Sequence, residues 1–284
     1  MKEKRSFVIS TMLIFVLSAV LLLSGCDRQT DPTTASQLAT GTKTQDIDAA
    51  KQGVDSTMRG AAGHKIVVGM DATFPPMIFR AASGQLQGYD FAVMREVFQR
   101  MKQPFEVREV LWTQKEQELN NGTIDLVLGM RVNDQNQFLF SRSYLSSPDV
   151  IVVSTASPFS SKEEITGKTV GILADASAEA LVRKAVGHAG RIVEYQERVL
   201  TLSRGIFDKE VDAVLVNGVM AKYYAKNSPG AIRIIEAGHV PAEYGLAARN
   251  DNADLIKKVN QALESMEADG TIQKLQVQWL DDLQ

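Results

Sequence analysis

The fold class that the sequence predicts is α/β, with two lobes that each contain a mainly parallel sheet flanked by helices. Short β-branched runs alternate with segments of helical periodicity, a pattern typical of parallel sheets joined by helices. This alternation restarts after residues 150–153 (VIVV), which indicates a second unit of the same kind. The length of 284 residues suits one or two lobes with ordinary cores.

The first unit opens with residues 66–70 (IVVGM), a short β-branched run expected to form a buried strand. Asp90 is expected to cap a helix with five apolar residues on one side: Phe91, Met94, Val97, Phe98 and Met101. Residues 105–110 alternate as a strand does. Thr113 and Glu116 have the spacing of a capping box for a helix through Leu119, and residues 124–128 form the next strand.

The second unit repeats the alternation. Its predicted elements, in chain order, are a strand at 169–173, a helix at 177–186, a strand at 192–195, a helix at 199–207, a strand at 211–216, a helix at 218–226 and a strand at 232–235. An apolar run at residues 244–248 follows, and amphipathic helices end the chain. Two α/β units joined by two extended crossings explain this order.

An export signal is predicted at residues 1–25. Basic residues near the start precede an apolar run that ends in small residues and Cys26, the only cysteine of the chain. Residues 23–26 (LSGC) resemble the lipobox of bacterial lipoproteins, in which the cysteine after the cut carries lipid. Asp27 resembles an inner-membrane retention signal. The alternative is a membrane-spanning helix that stays in place, although the run is shorter than the roughly 20 residues that a bilayer needs.

The next segment, residues 26–64, is rich in small and polar residues and is predicted to be a flexible tether. Removal of residues 1–25 takes away a net two positive charges, so the formal charge changes from −3 to −5. An acidic chain argues against nucleic acid as a partner, because phosphates require a basic face. Three scattered histidines and a single cysteine predict neither a metal site nor a disulfide, and no cofactor is expected.

Several motifs in a fixed order resemble the polar amino acid-binding proteins of ABC importers. They are residues 68–76 (VGMDATFPP), 88–90 (GYD), 122–125 (GTID), 140–141 (FS) with Tyr144, 167–171 (GKTVG), 211–214 (VDAV) and 269–272 (DGTI). The resemblance covers about residues 65–281. It implies a clamp of two lobes, with lobe one at 65–152 and 245–284, lobe two at 153–244, and a hinge near Val152 and Tyr244. A ligand between the lobes would drive closure.

The resemblance also implies residues that contact the ligand. Asp71 occupies the place of an acidic residue that receives a cationic group, and Phe74 matches an aromatic residue that packs on the ligand side chain. Trp112 falls where a second wall is expected, and Ser177 matches a lobe-two hydroxyl that donates to an α-carboxylate at a helix N-terminus. Each has a structural alternative: a turn or cap for Asp71, core packing for the two rings, and an ordinary N-cap for Ser177.

Two positions depart from the family pattern. After the strand near Asp125 the family usually has an arginine that binds the ligand carboxylate, but here the loop is shorter and Asn136 is the nearest equivalent. Residues 129–131 (Gly129, Met130 and Arg131) end that strand, so we expect them in the cleft with Arg131 as the carboxylate ligand; the alternative is an exposed loop arginine. Asn217 stands where the family usually has the aspartate that neutralises an α-ammonium.

The resemblance thus implies a lipid-anchored binding protein, not an enzyme, that captures a small amino-acid-like carboxylate. The expected partners are an ABC permease with its ATPase. The expected location is the periplasmic side of the inner membrane, or the outer face of the cell membrane where there is one membrane. A sensor with a separate partner protein is one alternative. An enzyme similar to periplasmic cyclohexadienyl dehydratases, which share the fold, is the other, with Asp71 as its acid.

Overall fold

The computed structural model describes residues 65–132 and 137–283. The predicted signal peptide, Cys26, the tether and Asn136 lie outside these residues. The described part contains two α/β lobes, each built on its own sheet. None of the described helices combines the length and the apolar character needed to cross a membrane.

Lobe one contains a mixed sheet in which the parallel strands are neighbours at one edge. Its elements before the first crossing are β1 (Ile66–Met70), β2 (Thr73–Phe74), β3 (Ile78–Arg80), β4 (Leu86–Gln87), α1 (Tyr89–Met101), β5 (Phe105–Glu109), α2 (Lys115–Asn120), β6 (Leu126–Arg131), β7 (Leu139–Phe140) and β8 (Leu145–Ser147). Strand β1 pairs in parallel with β5 and β6. The last strand of the chain, β14 (Ala242–Ala248), joins β6 in the antiparallel direction, and β7 and β8 pair with β14.

Lobe two repeats this design. Its elements are β9 (Asp149–Ser154), β10 (Thr169–Leu173), α3 (Ala178–Val186), β11 (Arg191–Tyr195), α4 (Arg198–Leu202), β12 (Ala213–Asn217), α5 (Gly218–Asn227) and β13 (Ile232–Glu236). Strand β10 pairs in parallel with β11 and β12, whereas β9 is antiparallel to both β12 and β13. After β14, helices α6 (Ala253–Ala268) and α7 (Thr271–Leu280) return to lobe one, where both pack against α1.

The α/β fold is confirmed, but the sheets are mixed rather than mainly parallel. Strands β9 and β14 each follow a direct crossing from the other lobe. Without a crossover helix before them, they run antiparallel to their neighbours.

The chain crosses between the lobes at Pro148 and again at residues 237–241, a few residues before the predicted hinge positions Val152 and Tyr244. Residues 149–152 belong to β9 and hydrogen-bond with lobe two, whereas Tyr244 already pairs with β6 and β8 of lobe one. The two crossings run side by side. Ser147 pairs with Ala242 in the first sheet, and Val150 pairs with Glu236 in the second.

Three local predictions differ from the structure. Gly88 (φ 124°) precedes α1, which places Asp90 inside the first turn, where it is 2% exposed. A short 3₁₀ turn, Trp112–Gln114, comes before α2, so Thr113 and Glu116 do not flank its start as a capping box would. Helix α4 ends at Leu202 and continues as a wider turn, Ser203–Phe207.

Candidate functional site

A cavity of about 140 Å³ lies between the two lobes. Five of its lining residues stand at or just after the carboxyl ends of parallel strands in the two sheets: Trp112 after β5, Arg131 at the end of β6, Ser177 after β10, Arg198 after β11 and Asn217 at the end of β12. Open α/β sheets characteristically bind ligands at this edge. An engineered protein cavity of about 150 Å³ holds benzene, so the space suits a molecule of comparable size.

Most of the predicted site residues meet in this cavity. Seven of them line it: Phe74, Trp112, Gly129, Met130, Arg131, Ser177 and Asn217. The lining residues in the described part of the chain do not include Asp71, which was predicted to receive a cationic ligand group. Asp71 faces Arg198 instead, and Arg198 does line the cavity.

Arg198 lies between two aromatic rings and next to a carboxylate. Its guanidinium carbon is 4.3 Å from the ring centre of Phe74 and 3.8 Å from that of Trp112. Its Nε is 3.4 Å from Oδ2 of Asp71. Oδ1 of Asp71 accepts hydrogen bonds from the backbone N–H and the hydroxyl of Thr73 at 3.0 and 2.6 Å. Burial lowers the pKa of Arg198, and the neighbouring charge of Asp71 opposes this shift only in part.

Arg131 extends from the end of β6 towards the first residue of β9. Its Nη2 donates a hydrogen bond of 2.5 Å to Asp149, and its guanidinium lies 5.5 Å from the ring centre of Tyr244. Nδ1 of His239, on the second crossing, is 3.7 Å from the other oxygen of Asp149. Burial opposes the charge of Arg131, but Tyr244 and Asp149 raise its pKa overall. Its position on the cavity wall argues against an exposed loop arginine.

Lys115 and Asp175 form a further ion pair among the residues that line the cavity. Nζ of Lys115 is 3.1 Å from Oδ2 of Asp175 and 4.5 Å from the ring centre of Trp112. Oδ1 of Asp175 accepts hydrogen bonds from the N–H and the hydroxyl of Ser177 at 3.1 and 3.0 Å. Burial raises the pKa of Asp175, but Lys115 and Ser177 outweigh it and lower this pKa overall. In this structure the hydroxyl of Ser177 therefore donates its hydrogen bond to Asp175.

Asn217 is the N-cap of α5. Its side-chain oxygen accepts hydrogen bonds from the N–H groups of Val219 and Met220 at 2.9 and 3.4 Å. Its amide nitrogen donates to the hydroxyl of Tyr244 at 3.0 Å. Because both ends of the amide are engaged, Asn217 contributes a fixed, uncharged wall to the cavity.

Gly129 brings the backbone of β6 against a buried acid. Its φ of +72° disfavours residues with a side chain, and a Cβ at this position would lie 2.8 Å from Oδ2 of Asp90. Burial raises the pKa of Asp90 to about 7, although Tyr144 and Arg198 lower it.

Sequence reasoning missed Arg198, Lys115, Asp149 and Asp175. One signal was available for two of them. Asp175 and Arg198 follow parallel strands by two or three residues, at the edge where open α/β sheets bind ligands, so their positions in the chain could have indicated them. Lys115 was not predicted, because charged residues on helices usually face solvent.

Comparison with known proteins places these features in one family. Residues 66–282 match the model of the bacterial extracellular solute-binding proteins, family 3. The chain is 25% identical to the L-cystine-binding protein TcyJ of Escherichia coli over 75% of this chain and 82% of that protein. It is 26% identical to the arginine-binding extracellular protein ArtP of Bacillus subtilis, over 76% of this chain and 86% of that protein.

Solved structures agree with this result. The arginine-, lysine-, histidine-binding protein ArtJ of Geobacillus stearothermophilus superimposes with a TM-score of 0.71 and 25% identity, covering 77% of this chain and 96% of that one. These relatives are named as binding proteins, which agrees with the expectation that the chain is not an enzyme. With the family model matched over nearly all the described residues, the chain belongs to the bacterial extracellular solute-binding proteins of family 3.

Proposed function

We propose that this protein binds a small amino-acid-like ligand through its carboxylate and delivers the ligand to an ABC permease. The observation that carries the proposal is the cavity, in which side chains of both lobes meet at the carboxyl ends of parallel strands. A ligand held there contacts both lobes together, so its binding free energy favours closure. Relatives named for binding cystine and arginine support an amino acid as the ligand class.

Arg131 is the proposed ligand of the carboxylate. Asp149 and Tyr244 hold its guanidinium at the cavity wall, which reduces the entropy lost when it binds an anion. A guanidinium can contact a carboxylate through two parallel N–H groups. Asn217 carries no charge that could neutralise an α-ammonium, and Asp149 and Asp175, which also line the cavity, are paired with Arg131 and Lys115.

Titration calorimetry and thermal melts of the full chain, purified in detergent, test this proposal. The panel comprises the twenty amino acids and cystine. A ligand at 100 times its Kd should stabilise the protein by about 2.7 kcal/mol. Arg131→Ala should bind it roughly 10- to 150-fold more weakly, and Arg131→Lys should recover part of the loss. Arg204→Ala, at an exposed arginine outside the cavity, is the matched control.

Two results would contradict the proposal. Absence of saturable binding across the panel would exclude an amino-acid ligand. Equal affinity of wild type and a folded Arg131→Ala variant would exclude Arg131 as the carboxylate ligand while leaving the binding function in place.

Lipid attachment at Cys26 belongs to the same proposal and rests on the lipobox resemblance of residues 23–26. We expect the wild type to incorporate labelled palmitate and to enter the detergent phase, and Cys26→Ser to do neither. Equal labelling of both proteins would refute the anchor.

A further inference from the structure

Asp71, Phe74 and Trp112 form a recess suited to an organic cation. It combines a carboxylate with two aromatic faces, the groups that bind guanidinium and ammonium ions in proteins. All three residues belong to lobe one and are at most 8% exposed. In this protein the cation in the recess is the guanidinium of Arg198, which comes from α4 of lobe two.

Arg198 fits the recess closely. Both ring centres lie within 4.3 Å of its guanidinium carbon, inside the roughly 6 Å range of a cation–π interaction. Its side chain is 11% exposed, so its charge has lost most of its contact with water. Removal of a buried charge from its partners is unfavourable, which disfavours displacement of Arg198 by an external cation.

The rest of the cavity offers little to a second cation. Among the described lining residues, Asp149 is bound by Arg131, and Asp175 by Lys115. Glu116 is the third carboxylate among these residues, and its Oε1 is 3.7 Å from Nζ of Lys115. Lobe two also contributes apolar side chains to the lining, among them Ile172, Leu181, Leu215 and Met220.

We propose that Arg198 takes the place of a cationic ligand side chain, so that the site accepts amino acids with a small neutral side chain and rejects arginine and lysine. This inference rests on the proposed amino-acid-binding function. It assigns Arg198 as a specificity-determining residue and predicts that its removal opens the recess to cations from solution.

The test compares full-length wild type, Arg198→Ala and Arg198→Met. Alanine empties the recess, whereas methionine keeps an unbranched chain in it without a charge. Arg204→Ala is the matched control, an exposed arginine that pairs with Glu210 away from the cavity. The probes are ethylguanidinium chloride and L-arginine, each against sodium chloride at equal ionic strength, with calorimetry and thermal melts as readouts.

We expect Arg198→Ala to bind both probes at least tenfold more tightly than wild type. Ethylguanidinium at several times its Kd should raise the melting temperature of this variant by about 2–4 °C. Wild type, Arg198→Met and Arg204→Ala should show no such response. If Arg198→Ala folds only when ethylguanidinium is present, the inference is supported. If it stays unfolded with and without the probe, Arg198 is structural and the inference is overturned.

Ethylguanidinium has neither an amino-acid carboxylate nor an α-amino group, so its binding reports on the recess alone. If wild type binds no amino acid but Arg198→Ala takes up ethylguanidinium, the recess assignment stands and the proposed function fails. Stoichiometric binding of arginine or lysine by wild type would overturn the inference. A folded Arg198→Ala variant that binds neither probe would also overturn the inference, even if wild type binds a neutral amino acid.

Discussion

Asp90 is a carboxylic acid in a place that disfavours a negative charge. Its side chain is 2% exposed and packs against the backbone of Gly129. Oδ1 is buried and has no hydrogen-bond partner among the described residues. Burial raises the pKa of Asp90 from 3.8 to about 7, because water no longer stabilises the carboxylate.

This shift predicts how the free energy of unfolding depends on pH. Between about pH 4 and pH 7 the unfolded chain has released the Asp90 proton and the native protein retains it. The contribution of Asp90 to stability is therefore full below about pH 4 and is lost as the pH rises through about 7. Asp90→Asn should remove this dependence. At pH 8 its free energy of unfolding should exceed that of wild type by up to a few kcal/mol.

Urea denaturation at one-unit steps from pH 4 to pH 8 measures the effect. Asp254→Asn, at an exposed aspartate in the first turn of α6, is the control and should follow the wild-type profile. Parallel profiles for wild type and Asp90→Asn would show that Asp90 does not hold its proton in the native state.

At the scale of a single element, α5 depends on one residue for its start. Asn217 accepts hydrogen bonds from two N–H groups of the first turn. An aspartate can accept the same bonds, and its charge is favourable at a helix N-terminus. We therefore expect Asn217→Ala to lower the free energy of unfolding by about 0.5–2 kcal/mol and Asn217→Asp to stay within about 0.5 kcal/mol of wild type.

Thermal melts of the two variants without ligand check this prediction. Loss of about 1 kcal/mol corresponds to a decrease of roughly 2–4 °C in a protein of this size. Equal melting temperatures for Asn217→Ala and wild type would show that the side-chain cap contributes nothing to stability.

The elements with regular apolar patterns were predictable from sequence. The predicted strands at 66–70 and 169–173 have the observed bounds, because short runs rich in β-branched residues favour strands. The helix predicted at 199–207 was only partly right. Gly205 packs so closely that a Cβ there would lie 2.8 Å from Val214, and the chain forms a wider turn at this point. Close packing of this kind involves residues distant in sequence and leaves no periodic signal.

The site was predictable where it follows the family pattern or a strand end, and it was not predictable where it depends on pairing across the cleft. Phe74 and Trp112 were located from the resemblance to the family, and Arg131 from its position at the end of a strand; all three line the cavity. The partners of the charged residues were not located, because paired residues such as Lys115 and Asp175 are 60 positions apart in the sequence. The crossings lie a few residues before the predicted positions, because the apolar run at 150–153 would suit either sheet.

For the whole molecule, the important contacts are three ion pairs among the described residues that each join the lobes. They are Asp71 with Arg198, Lys115 with Asp175, and Arg131 with Asp149. Each pair contains at least one side chain that is 11% exposed or less, so salt screens them less than surface pairs. Together they favour contact between the lobes.

Lys115→Ala tests this role. The change leaves Asp175 without its ammonium partner, and separation of the lobes would return that carboxylate to water. Asp175 is 29% exposed, so we expect a shift towards the open form of about 1–3 kcal/mol, less than the 3–5 kcal/mol typical of a fully buried pair.

Small-angle X-ray scattering should show a larger radius of gyration for Lys115→Ala than for wild type, both without ligand. Arg183→Ala removes an exposed pair within α3 and serves as the control, with a wild-type profile expected. Identical scattering from Lys115→Ala and wild type would mean that this pair does not hold the lobes together.

Because the two crossings run side by side, lobe two is an insertion between neighbouring strands of lobe one. Because Ser147 and Ala242 are neighbours in the first sheet, a two-residue hairpin turn could join them and leave β6, β8 and β14 paired. The ends of the excised part, near Val150 and Glu236, are also neighbours, as in domains that tolerate transfer into another protein. Recombination at these two points would exchange half of the binding site in one step, which offers a route by which related proteins acquire new ligands without rebuilding either sheet.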